Sequence, residues 1–280
     1  MTTAVRDVGV GAYTMHRQVA AEVLGIDPEL VQVEVGGTDT GPYDEGVRGQ
    51  RGTHVEGQAV WRAANALMEI LRDQAASQWN VATEQVRWER GRVLLTGSQK
   101  QTLNLKDLAR LSANKPASGF GHCKAGEVHT YAFQAMVAEV EVDRETGQVT
   151  VRRLNLAHDM TKFINPIIYQ GQIEGAVMQG LGFTLSEHLA VEDGRVLTLS
   201  LGDHKIPTIR DIPSLVTSRV PANEGPGPFG AKAVAESGIG LVAPAIANAV
   251  FDATGVRVVE LPISSDKILQ GLAEREKLTA

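Results

Sequence analysis

Residues 136–187, MVAEVEVDRETGQVTVRRLNLAHDMTKFINPIIYQGQIEGAVMQGLGFTLSE, set a strand pair before a helix-length segment, and that order decides the fold class. Residues 136–142 and 149–156 are two β-rich runs joined by the turn DRETGQ, which predicts a hairpin. Residues 169–187 then form a helix-length run that carries Gly171, Gly175, Gly180 and Gly182. Each glycine inside a helix costs about 1 kcal/mol relative to alanine. Close packing or the approach of a ligand must compensate. Gln172 and Gln179 stand seven apart, so they lie near one face, and an amide offers both donor and acceptor to a heterocycle.

Working outward toward the N-terminus, residues 15–24 place Val19, Ala20, Val23 and Leu24 at helical spacing, with Gly25 as a stop. Val31, Val33 and Val35 alternate with Gln32 and Glu34, which predicts a half-buried strand ending at Gly36-Gly37. Over residues 53–79 the positions Val60, Ala63, Ala64, Leu67, Met68 and Leu71 recur at three and four residues, predicting a long amphipathic helix. A hairpin over 86–95 and a short helix over 105–111 lead to SANKPASG, a polar stretch that divides the chain into 1–117 and 118–280. Downstream, the Gly/Pro cluster 225–230 runs through AKAVAESG into an apolar helix over 241–253 that Gly255 closes. Together these predict an α+β chain of two packed α/β subdomains.

Composition removes several function classes. In 280 residues there are 29 glycines but only 5% aromatics, so many backbone positions are bare, at turns or where something approaches the main chain. A net charge of −6 argues against the broad basic surface that nucleic acid requires. One cysteine, Cys123, cannot form an internal disulfide, ligate an iron–sulfur cluster alone or build a thiolate-rich zinc site; it fits a reducing compartment. No uninterrupted apolar run reaches the ~18 residues of a membrane span, and the first residues carry no export signal. The expectation is a soluble cytoplasmic chain without a membrane span. The seven histidines show no HExxH spacing, and Ser237 lacks the first glycine of a nucleophile elbow, so hydrolase chemistry has no support.

Four segments carry the candidate chemistry. Gly9-Val10-Gly11 precedes a helix and suits the presentation of backbone N–H groups to an anion, although Thr14 stands where a dinucleotide fingerprint needs glycine; a tight turn explains it as well. In GPYDEGVRGQRGT (41–53), Gly52-Thr53 opens the long helix with Thr53 as a candidate N-cap, and Arg48 and Arg51 add charge-assisted bonds; a solvated loop is the competing explanation. The glycine-rich helix with Gln172 is the third, with close helix packing as its alternative. In the fourth, GPGPFGAKAVAESG (225–238), Glu236 is set among small residues before an apolar helix. Desolvation there would suit it to proton transfer, while a plain helix-start carboxylate is the competing account.

Taken in order, these segments resemble the C-terminal half of the molybdopterin-binding subunit of the xanthine dehydrogenase/aldehyde oxidase family. The resemblance rests on DVGVGAYTMHRQVAAEVLG, on Asp39-Thr40 with GQRGTHVEGQAVWRAA, on AEVEVDRETGQVTV, on IleAsnPro at 164–166, on GQIEGAVMQGLG, on DHKIPT and on GPFGAKAVAESG. It implies a molybdopterin cofactor, with the cytosine dinucleotide form as a variant, whose dithiolene holds the molybdenum, so that no side chain need ligate the metal. It further implies that Gly9, Val10, Gly11, Gly49, Gln50, Arg51, Gly52, Thr53, Gln172, Lys232, Ala233 and Val234 line the cofactor. Glu236 would be the base for a molybdenum-bound hydroxyl, in the hydroxylation of an aldehyde or N-heterocycle with water as oxygen source.

The pattern departs from the family at two places. Val10 replaces a glutamine in the first loop, and Ala235 with Ser237-Gly238 replaces a G-E-P-P form. The resemblance also implies partners: an N-terminal molybdenum-domain subunit, an iron–sulfur subunit with 2Fe-2S centres and a FAD subunit. The alternative is a cofactor-free fragment or assembly module, favoured by Val10 and opposed by Glu236, Gln172 and Lys232.

Overall fold

In the structure, a computed structural model that describes residues 1–98, 100–124, 126, 131–160, 162–221, 224–233 and 235–279, residues fall into two units. The first is Met1–Tyr131 with Lys162–Pro166 and Glu224–Ala233; the second is Ala132–Thr161, Ile167–Asn223 and Val234–Ala280. Gly119 and Gly121 lie against the backbone of the long helix, at Ala59, Ala63 and Leu67, where a side chain would collide. This holds the stretch after residue 117 on the first unit.

In the first unit, in chain order, are β1 (Thr2–Thr3), α1 (Ala12–Leu24), β2 (Glu34–Val35), α2 (Gly57–Trp79), β3 (Val86–Glu89), β4 (Arg92–Leu95), β5 (Thr102–Asn104) and α3 (Leu105–Leu111). Gly25, in the left-handed conformation, ends α1 by donating its N–H to the carbonyls of Ala21 and Glu22. The strand expected over 31–35 shrinks to two residues, because the parallel partner β1 is only two residues long and a 3₁₀ turn, Pro28–Leu30, precedes it. Val31 is buried all the same, with Met15, Val19, Ala20, Ala21 and Val60, in a nucleus that also takes in Ile164 and Phe229. A second nucleus joins Leu71, Ala75 and Ala76 of α2 to Val86, Val93 and Leu108 under the antiparallel sheet β3-β4-β5.

The second unit continues with β6 (Gln134–Val142), β7 (Val149–Asp159), α4 (Pro166–Leu185), β8 (Val191–Glu192), β9 (Arg195–Val196), α5 (Leu201–His204), β10 (Ser214–Val220), α6 (Ile239–Thr254) and α7 (Ser265–Thr279). The predicted hairpin forms: β6 and β7 pair antiparallel, and the Asp143 carboxylate accepts the N–H groups of Glu145 and Thr146 in the turn. β10 adds in parallel to the other edge of β7. Leu154, Leu156, Ile173, Val177, Val242, Ile246, Val250 and Ile268 form the core of this unit. Residues Glu236–Thr254 are long and apolar enough to cross a membrane by length and composition. Val242, Ile246 and Val250 are nevertheless fully buried in that core, so one face of α6 packs on it.

Candidate functional site

Three of the expected segments meet within the first unit. A side chain added to Gly57, at the start of α2, would come within 3.1 Å of Pro228 and 3.2 Å of Met15. One added to Gly227 would come within 3.1 Å of the His54 backbone. The start of α1, the entry to α2 and the turn Glu224–Ala233 therefore share one nucleus. They bring along Gly9–Gly11, Gly49–Thr53 and Lys232 with Ala233. Lys232 is buried, at 8% exposure.

The first loop is folded around its own carboxylate. Asp7 accepts the N–H of Gly9 at 2.9 Å, of Gly11 at 3.2 Å and of Tyr13 at 3.5 Å. Burial raises the Asp7 pKa, but these bonds, with one from Val10, outweigh burial and hold it below its ordinary value. The amides expected to face an anion thus face Asp7. What remains open is the flank of Gly9, at φ +103, where nothing lies within 4 Å of a would-be side chain.

The second loop holds its arginines in an internal cluster. Glu45 Oε2 accepts from Arg48 at 2.8 Å and from Arg51 at 2.6 Å, so Glu45 offsets part of the positive charge expected to face a phosphate. Arg51 is 9% exposed, and its Nε has no hydrogen-bond partner among the described residues. Gly49 and Gln50 are both left-handed, with open space beside Gly49. Thr53 is not an N-cap. The chain is already helical at Arg51 and enters α2 through one π-turn, Gly52–Glu56, which leaves no extended residue from which a side chain could cap. Burial lowers the His54 pKa, opposed by the Gln50 carbonyl and aided by the Arg51 charge.

His16 and Glu56 join these elements and are absent from the expected site. Both are buried, with His16 Nε2 4.0 Å from Glu56 Oε2. Their signal was present in the sequence: Glu56 stands four residues before Val60 and His16 three before Val19, so both lie on apolar stripes.

The second unit carries Gln172 and Glu236, while Val234 lies outside the described residues. Gln172 is half-buried on α4, and Gln179 is exposed. The helix glycines divide by role. Gly180 packs on Val242 and Gly182 on Pro207 and Glu187, whereas Gly171 and Gly175 face open space. Glu236 opens a 3₁₀ turn before α6 and is exposed. The expected desolvation is therefore absent in this chain: small neighbours leave the carboxylate on the surface instead of enclosing it. A groove of about 860 Å³ lies elsewhere in this unit, among β7, the end of α4 and residues 201–214, and no expected site residue lines it. Among the described residues no three metal-ligating side chains gather.

Residues 1–213 match the sequence pattern described as the molybdopterin cofactor-binding domain. The chain belongs to this molybdopterin-binding family. It is 32% identical over 277 residues to the carbon monoxide dehydrogenase large chain of Hydrogenophaga pseudoflava, covering 95% of this chain and 34% of that one. It is 33% identical over 276 residues to the aldehyde oxidoreductase molybdenum-binding subunit of Escherichia coli, covering 97% and 37%. CO dehydrogenase from Oligotropha carboxidovorans superposes with a TM-score of 0.85 at 26% identity, over 99% of this chain and 35% of that one. For quinoline 2-oxidoreductase from Pseudomonas putida the TM-score is 0.83 at 27% identity, over 98% and 36%. The chain thus spans about a third of the length of these relatives and matches the C-terminal part of their large subunits.

Proposed function

We propose that this chain forms part of a molybdenum hydroxylase that oxidises an aldehyde or N-heterocycle with water as the oxygen source. The observation that carries the reading is the convergence, in the first unit, of the Gly9 and Gly49 loops with the buried Lys232 on one nucleus. The bare flanks of Gly9 and Gly49 suit the close approach of a flat ring system to backbone. Arg51 Nε, without a hydrogen-bond partner among the described residues, suits an anionic group, and so does the charge of the buried Lys232. The residues fit molybdopterin, and its cytosine dinucleotide form is the variant of the same reading.

When bound, the cofactor supplies the two-electron redox chemistry. The chain does the rest. Gly9, Val10, Gly11 and residues 49–53 orient the ring system and its phosphate, and Lys232 and Ala233 close that site. Glu236 takes up a proton at a carboxylate oxygen. The reading requires a partner to cover Glu236, because a base exposed to water gains little from its surroundings. An N-terminal molybdenum-domain subunit does this, and electrons leave through 2Fe-2S and FAD subunits, in the cytoplasm.

The test is Glu236→Gln in the complex that co-purifies with the chain. Cofactor content stays near normal and turnover falls by roughly 10²–10⁴-fold, since the shape remains and the base is gone. Unchanged turnover rejects the role of Glu236.

A further inference from the structure

His16 is fully buried and the Glu56 side chain is 2% exposed, on facing elements of the first unit. Neither ring nitrogen of His16 and neither oxygen of Glu56 has a hydrogen-bond partner among the described residues. The carboxylate also sits beneath the cofactor loop, since a side chain added to Gly52 would lie 3.9 Å from Glu56 Oε2. Two full charges in this place would lose their hydration with no hydrogen bonds in exchange. A neutral imidazole beside a neutral carboxylic acid avoids both losses, and a small rotation closes their 4.0 Å gap to an O–H···N hydrogen bond.

The surrounding charges agree. Burial pushes His16 down to about 4, with Asp44 and Asp7 opposing, and pushes Glu56 up to about 7, with Asp44 adding and Arg51 opposing. In the unfolded chain the order is the ordinary one, 6.5 for histidine and 4.5 for glutamate. From about pH 4.5 to 6.5 each state therefore holds one proton on the pair. Only its address differs.

We propose that folding moves one proton from His16 to Glu56, and that the resulting neutral pair beneath Gly52 keeps the loop of residues 49–53 receptive to an anionic group. The first half stands on geometry alone; the second rests on the reading of that loop as a cofactor site. His16 and Glu56 are positioning residues. A charged Glu56 would repel a phosphate seated over Gly52, so ionisation above neutral pH weakens the hold on the anion.

The direct measurement is the imidazole signal of His16 in the full chain labelled at histidine, assigned by its loss in His16→Phe or His16→Asn. A neutral imidazole near pH 5.5 is expected; an imidazolium overturns the proposal. Stability supplies a second readout. With Glu56→Gln the lowered histidine remains, so stability rises as pH goes from about 4.5 to 6.5; with His16→Phe the raised carboxyl remains, so it falls. Referred to the double variant, each slope approaches tenfold in the unfolding equilibrium per pH unit, and the wild type is flat. Flat single variants overturn the proposal.

For the anion, wild-type protein in its complex releases pterin several-fold faster on dialysis at about pH 8.5 than at about pH 6, and Glu56→Gln removes the difference. Wild-type release independent of pH overturns the second half. A complex that holds no pterin at either pH refutes both the cofactor reading and the second half, while the imidazole signal still decides where the proton sits.

Discussion

Asp7 turns a loop that reads as an anion cradle into one filled by its own chain. Its carboxylate holds the amides of Gly9, Gly11 and Tyr13, so the glycines were legible from the sequence but the direction of their N–H groups was not. Asp7→Ala is expected to cost about 1 kcal/mol near neutral pH, the usual value of such a cap. The folded pKa of Asp7 is lowered, so its contribution is present above the ordinary carboxylate value and is lost as pH falls through the folded one. In urea unfolding the gap between wild type and variant should close in strong acid; a gap that persists there would mean that the carboxylate charge is not its source. Glu56 was missed for a different reason. It occupies the stripe that ends in Val60 and Leu71, where a carboxylate looks like an error in an apolar pattern until His16 is found beside it.

Among the elements, those with strong periodicity were legible: α1 with its Gly25 stop, α2, α3 and the β6–β7 hairpin with Asp143 in the turn. β10 was not, because Leu215 alone of its first four residues packs on the core and its partner β7 is about 60 residues away. α7 was missed because only Ile268 and Leu272 mark its buried face. The π-turn at Gly52–Glu56 leaves no trace in a pattern of apolar residues. The glycines of α4 separate packing from openness in a way that mutation can read. Gly180→Ala would put a methyl 2.6 Å from Val242 and is expected to cost about 1–3 kcal/mol. Gly175→Ala meets nothing within 4 Å and is expected to stabilise by about 0.5–1 kcal/mol, since the helix gains and the core is untouched. Denaturant midpoints that moved in the same direction would contradict this division.

For the whole molecule, the excess of glycine now has three origins. Some glycines are turns, some let elements pack closely, as at Gly57, Gly121 and Gly180, and a few, Gly9 and Gly49 among them, leave backbone open beside the nucleus of the first unit. The last group is the one the proposed cofactor would use. Glu236 is exposed, and the chain covers about a third of its relatives, so the proposed base would take its enclosure from outside this chain. The most direct test is molybdenum and pterin analysis of the intact soluble complex that co-purifies with this chain. About one molybdenum and one pterin per chain is the expected result, whereas an intact complex without either would contradict the account.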